Sequence, residues 1–257
     1  MWIRLRQIAF VAHQLEPVVD DLHAVLGLDV AYRDPGVATF GLHNAVMPAG
    51  QQFIEVVSPT QDGTAGGRYL DRRNGDGGYM VILQCEDHGA VKARVDELGV
   101  RKVIEQDTKH YKLMQLHPRD TGGSFLEIDV QVGGDSMDGP WEPAGPQWQQ
   151  AKTDVVSGII AAEIQADDPA ALAARWSSIL DRDVRAGVDG HPTIDLDNAS
   201  LRFVAIADGR GEGLGGIDVA VTATNASRVL AAAEQRDRRI ADDQVGVGGM
   251  RIAIIGT

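Results

Sequence analysis

The chain has 257 residues, 44% hydrophobic but only 5% aromatic, a length that holds one large domain or two ordinary ones. With 24 basic against 37 acidic side chains the net charge is −13, which repels phosphate backbones and anionic headgroups and excludes nucleic acid and membrane surfaces as expected partners. No apolar run approaches the ~20 residues of a membrane span and no leader-like segment opens the sequence, so a cytoplasmic protein is expected.

One succession of elements, a strand, a helix and then several short strands, occurs four times along the chain. The first copy opens with a strand over 7–12, and Leu15, Val18, Val19, Leu22, Val25 and Leu26 then share one face of a helix that Gly27 closes. Further strands are expected at 29–33, 38–42, 45–48 and 52–57, with Asp34-Pro35-Gly36 and Ala49-Gly50 as turns. In the second copy a strand over 79–84 precedes a helix of Val91, Val95 and Leu98 that stops at Gly99, and a last strand covers 124–130. The single cysteine, Cys85, follows Val81-Ile82-Leu83-Gln84 and reads as a buried thiol, excluding an internal disulfide or a cysteine zinc site. The third copy has a strand at 159–165, a helix packing Leu172, Trp176, Ile179 and Leu180, and a closing strand at 201–206. The fourth runs from Ile217 through a helix of Val229, Leu230 and Ala233 to a strand at 250–255.

The expected class is therefore α+β, with four βαβββ modules forming two domains, 1–132 and 154–257, joined by a Pro/Gly/Trp linker over 133–153. Trp141 and Trp148 of the linker are expected to pin it against a domain surface, with ligand stacking as the alternative.

Glu55 alternates with Phe53 and Val57, and Glu127 with Phe125 and Asp129, on strands whose other face is apolar. A carboxylate on the inner face of a closed sheet is costly unless it is paired, hydrogen-bonded, protonated or cation-bound. Three readings stay open: a pair satisfied by water or neighbouring donors, a metal site, and an acid/base pair. Six of the seven histidines precede residue 118. His23 and His88 belong to helix surfaces or starts. His13 shares strand parity with Gln7, His43 and Asn44 fall on an inner strand edge, and His117 opens the turn 117–123, so these four are the candidate substrate contacts. His110-Tyr111 is a further loop source of a ligand.

Gln7 to Ala12, Val25-Leu26-Gly27-Leu28 and Phe53 to Val57 resemble the first module of the vicinal oxygen chelate superfamily, which includes glyoxalase I, methylmalonyl-CoA epimerase, extradiol dioxygenases and bleomycin-resistance proteins. Leu116 to Glu127 is similar to the closing-strand signature of its epimerase and glyoxalase-like modules, and Gly41 to Pro48 to its glyoxalase-like branch. The resemblance is good over about 4–131 and rests on topology and spacing over 156–256. It implies paired modules folding into a curved, cup-shaped mixed sheet around a central site. It also implies a divalent cation (Zn, Ni, Co, Mn or Fe) held by Gln7, Glu55 and Glu127, with Met80 where metal-binding relatives carry histidine. A thioether is a poor ligand for such ions. The equivalent positions of the second half, counted along the same pattern, are Ala161, Phe203, Asp218 and Ala253, with Glu163 nearby.

The implied function is a glyoxalase-like isomerase, epimerase or lyase that acts on a small oxygenated or carbonyl-bearing molecule by proton transfer. Glu55 and Glu127 are its expected catalytic residues, in an N-terminal working cup beside a C-terminal supporting copy. The alternative is metal-free binding or sequestration of a small molecule, as in bleomycin-resistance proteins; an extradiol dioxygenase would need two histidines that the pattern lacks. Modules of this superfamily pair within or between chains, which leaves a homodimer open.

Overall fold

The structure, a computed structural model, describes residues 1–187 and 189–257. The first module is β1 (Ile3–Val11), α1 (Leu15–Leu26), β2 (Leu42–Ala49) and β3 (Gln52–Pro59). A connecting helix α2 (Ala65–Arg73) leads to β4 (Gly77–Cys85), α3 (His88–Glu97), β5 (Lys102–Asp107), β6 (Tyr111–Leu116), the single turn α4 (Pro118–Thr121) and β7 (Phe125–Gln131). The second half repeats the plan with β8 (Val156–Ala166), α5 (Pro169–Leu180), β9 (Val184–Ala186), β10 (Pro192–Asp195) and β11 (Ser200–Ala205). Its last module is β12 (Gly213–Val221), α6 (Ala223–Gln235), β13 (Gln244–Val247) and β14 (Met250–Gly256).

Each half forms one seven-stranded mixed sheet, in the orders β2-β3-β1-β4-β7-β6-β5 and β13-β14-β12-β8-β11-β10-β9. The opening strands of paired modules, β1 with β4 and β8 with β12, run antiparallel at the centre, and each pairs parallel with the closing strand of its own module. Strand alternation splits every sheet into two faces. On one face Leu5, Ile8, Phe10, Ile54, Val56, Val81, Leu83, Leu126 and Ile128 are sealed beneath α1 and α3. They continue through Ile159, Ile164, Trp176, Leu214 and Ile252 into one hydrophobic core shared by the two halves. Helices α1 and α6 meet, as do α3 and α5, and the Trp176 indole donates to the Thr121 carbonyl at 3.1 Å.

Local chemistry accounts for where the elements depart from the sequence reading. Of residues 29–33 only Tyr32 pairs, in a bridge to Val46. The stretch expected as a strand at 38–42 lies mainly in a 3-10 helix, Pro35–Phe40, because the Asp34 side chain accepts from the Gly36 N–H and Pro35 occupies the first position. Helix α2 was not foreseen, since its two glycines weaken the pattern; the Thr64 hydroxyl caps it by accepting from Gly67 N–H at 2.9 Å, and Tyr69, Leu70 and Arg73 are its buried face. Among the described residues no helix is long and apolar enough to cross a membrane.

Candidate functional site

The N-terminal cup is the second face of the first sheet. A register shift between Leu5 and Gln7 in the β1–β4 pairing interrupts the alternation, and Arg6 and Gln7 both serve this face. Ala9 lies opposite Glu55 on one side and Met80 on the other, and Ile82 lies opposite Glu127. The two glutamates therefore sit on β3 and β7 with β1 and β4 between them, backbones ~14 Å apart at ordinary strand spacing, with side chains rising from the same face.

Each carboxylate is held by amide groups. Glu55 accepts from Gln7 Nε2 at 2.9 Å and from Asn44 Nδ2 at 2.6 Å, and the Asn44 oxygen accepts from the Asp34 N–H at 2.8 Å. Burial still pushes Glu55 above the usual carboxylate range against those two donors. Glu127 accepts from Gln115 Nε2 at 3.1 Å, and that amide also touches the Met80 sulfur. Burial, with the Glu55 charge adding to it, lifts Glu127 to about 7 while the Gln115 and Asp129 hydrogen bonds pull the other way. Asp129 is fully buried, takes the Tyr111 hydroxyl on Oδ2, and has no N–H or O–H donor at Oδ1. Burial and the adjacent Glu127 charge raise Asp129 well above its usual range, against the Tyr111 hydroxyl that pulls it down.

The linker fills the rest of the cup. Trp141 and Trp148, expected to pin the linker against a domain, do so on the inner face of the sheet: both are 1% exposed and belong to the apolar cluster with Ala9, Val46, Phe53, Tyr79, Met80 and Phe125. Trp141 Nε1 donates to Gln7 Oε1 at 2.8 Å, and its ring meets Tyr111 edge-on at 5.6 Å. Trp148 meets Phe53 in the same way at 4.9 Å. The Arg6 guanidinium is boxed by Phe53, Trp141 and Trp148 and donates to the Gln51 and Met137 carbonyls, and burial lowers it to about 9. Met80, Phe125, Gln115 and Glu127 keep 8–9% exposure, whereas Met114, Leu126 and Ile128 on the opposite face keep none.

Of the residues expected to touch substrate, Asn44 alone enters the cup. His43, paired with Ser58, lies on the other face and is exposed. His13 is exposed beyond the end of β1, and its N–H donates to Asp76. His117 caps α4, its Nδ1 accepting from the Arg119 N–H at 3.1 Å. Trp141, Tyr111, Gln115 and Asp129 complete the site. Asp129 was visible in the parity of its strand, Tyr111 and Trp141 were expected as a loop source of a ligand and a stacking alternative, and no local pattern marked Gln115.

The second cup differs. Its inner face carries Glu163 and Gln165 on β8, Arg202 and Val204 on β11, Gly216 and Asp218 on β12, and Arg251 and Ala253 on β14. Phe203, expected there, packs on Trp176 in the shared core; the count was one residue out, and one residue is one face. A cavity of ≈ 330 Å³ opens in this cup, and Glu163 and Asp218 are among its lining residues.

The cation implied by the superfamily does not fit the N-terminal donors. The Gln7 oxygen is committed to Trp141, both Glu55 oxygens hold amide N–H groups, and the fourth position is the Met80 thioether. Among the described residues no three His, Cys, Asp or Glu side chains lie close enough to hold a metal ion.

Two cup-shaped mixed sheets, each from two modules, are the tandem vicinal oxygen chelate fold. The chain belongs to the glyoxalase-like domain family, whose profile matches residues 8–180. Among solved structures, a hypothetical protein from Staphylococcus aureus shares the fold over 100% of both chains at 15% identity, with a TM-score of 0.67. A methylmalonyl-CoA epimerase from Streptomyces coelicolor is 21% identical over 51% of this chain and 99% of its own, with a TM-score of 0.46. A hypothetical protein from Bacillus halodurans is 18% identical over 50% of this chain and 94% of its own, with a TM-score of 0.45. Comparison with curated proteins yields no match.

Proposed function

We propose that the chain is a proton-transfer enzyme of isomerase or epimerase type, acting on a small carbonyl-bearing molecule in the N-terminal cup. The observation that carries this reading is the placement of Glu127 and Glu55 on the same face of that cup, with the Gln115 amide donating to Glu127 at 3.1 Å and burial lifting Glu127 to about 7. An acid that titrates near neutral pH both accepts and returns a proton readily. Glu127 would take the proton from the carbon beside the carbonyl: the C–H bond breaks, an O–H bond forms on Glu127, and the electron pair moves to the carbonyl oxygen. The Gln115 amide is placed to hydrogen-bond that oxygen. If the proton on Glu127 swaps with solvent before it returns, the carbon shows isotope exchange; delivery instead of the proton held by Glu55 to the opposite side of that carbon gives the epimer, after which Glu127 releases its proton to solvent and Glu55 takes one up.

The test is proton exchange in D2O, followed by NMR, over 2-oxo acids, α-hydroxy ketones and acyl thioesters. The reading expects at least one compound to lose its α-proton signal, and Glu127→Gln to slow that exchange by ~10²-fold or more. A panel on which wild type and Glu127→Gln behave alike would remove it. The Met80 thioether supports a second reading, sequestration without turnover, whose signature is saturable binding in the same panel with no exchange.

A further inference from the structure

The C-terminal cup holds polar groups that the fold leaves unspent. On its floor Arg202 joins two carboxylates: Nη1 and Nη2 donate to Asp218 at 2.7 and 2.9 Å, and Nε and Nη2 to Glu163 at 3.3 and 3.0 Å. Arg251 Nη2 donates to the other Glu163 oxygen at 2.7 Å. Burial pushes Glu163 up, but the Arg251 and Arg202 charges outweigh it and hold it below its usual range. All four oxygens of these carboxylates thus already accept from guanidinium groups, and the two positive and two negative charges cancel.

The donors that remain belong to other atoms. Arg251 Nη1 pairs with Asp208 at 3.5 Å, whereas Arg251 Nε makes no hydrogen bond among the described residues, and neither the Gln244 amide nor the His191 ring has a hydrogen-bond partner there. All three side chains line the ≈ 330 Å³ cavity, whose other walls include Val204, Ala205, Ile217 and Ala253. That volume suits a small organic molecule, and a few convergent polar groups beside apolar walls are the usual make-up of a ligand pocket. The linker that plugs the first cup contributes nothing here, because every lining residue belongs to the C-terminal half.

From this we infer that the C-terminal cup is a second ligand site, taking a small monocarboxylate with an apolar body. The carboxylate would accept from Arg251, Gln244 and His191, and the body would lie on Val204, Ala205, Ile217 and Ala253. A cation would find the carboxylates of the floor already committed.

Isothermal titration with benzoate, phenylacetate and 4-methylpentanoate, against the primary amides of the same acids, tests the site. At least one acid should bind saturably, and at least tenfold more tightly than its amide, since the amide forfeits the charge-assisted bonds. Arg251→Gln should weaken that binding tenfold or more. Because Arg251 also holds Glu163, Ala253→Phe, which fills the cavity without touching the ion pairs, is the second variant; its unfolding midpoint should match wild type while binding is lost. Glu127→Gln, in the other cup, should bind as wild type does. Absence of saturable binding by all three acids, equal binding of acids and amides, or binding that survives Ala253→Phe would overturn the inference.

Discussion

The indole N–H of Trp141 donates to the side-chain oxygen of Gln7 at 2.8 Å, and the amide nitrogen of Gln7 donates onward to Glu55 at 2.9 Å. A glutamine amide has one acceptor end and one donor end, so a tryptophan fixed at the acceptor end turns the donor end to the carboxylate. A linker residue thereby sets the hydrogen bonding of a glutamate on a strand of the sheet.

Replacing Trp141 by Phe keeps a ring in the cup but leaves the Gln7 oxygen without its donor, an expected cost of about 1–3 kcal/mol. Trp141→Ala removes the whole side chain from a fully buried place and should cost ~3–5 kcal/mol. Urea unfolding followed by circular dichroism measures both. Equal stability of wild type and Trp141→Phe would show that the N–H contributes nothing.

Stability should fall with rising pH across the range in which Glu127 ionises. The folded state holds this proton up to about 7, whereas the unfolded chain releases it near the ordinary value of 4.5. Between those values the folded state binds more protons, so the contribution is complete below the lower one and lost as pH rises through the upper one. The raised Asp129 acts in the same direction. The shift of Glu127 corresponds to a loss on the order of 3 kcal/mol. Denaturation at pH 5 and pH 8 should show a drop in wild type that Glu127→Gln largely removes.

The halves approach too closely at Gly249 to admit a side chain. A Cβ there would overlap the Asp76 carbonyl from the other half, and φ is +72°. Gly249→Ala should cost at least ~2 kcal/mol, combining left-handed strain with overpacking. Gly63 has φ +74° but open space around it, so Gly63→Ala should cost only the ~1 kcal/mol of the strain. Thermal unfolding of the two variants separates the terms.

Cys85 is 1% exposed, and burial pushes its thiol up to about 12. Iodoacetamide should therefore modify it only as fast as the protein unfolds, with the rate rising in step with urea-induced unfolding. Rapid alkylation of the folded protein would contradict its burial.

Strand alternation made the sheets legible in the sequence, because period-two burial leaves its mark on single residues such as Phe53, Glu55 and Val57. It placed Gln7, Glu55 and Glu127 on one face, and the fold joins Gln7 to Glu55 while Glu127 lies on the same face with two strands between it and Glu55. That the tryptophans pin the linker was legible, but the face they enter was not, because it lies 134 positions from Trp141 in sequence and nothing near that residue encodes the distance. Phe203 and Arg202 were exchanged for a smaller reason: the alignment was right in topology but one residue out in register. The ion pairs that fill the second cup join β8, β11, β12 and β14, and such cross-strand partners emerge only once register is fixed.

The most direct test of the central claim is a titration of the Glu127 carboxyl carbon by NMR in protein carrying ¹³C-labelled glutamate, with the resonance assigned by its absence in Glu127→Gln. The proposed role requires an inflection near neutral pH, at about 7. An inflection at the ordinary 4.5 would mean that Glu127 is a plain carboxylate at working pH, and the acid/base role would fall.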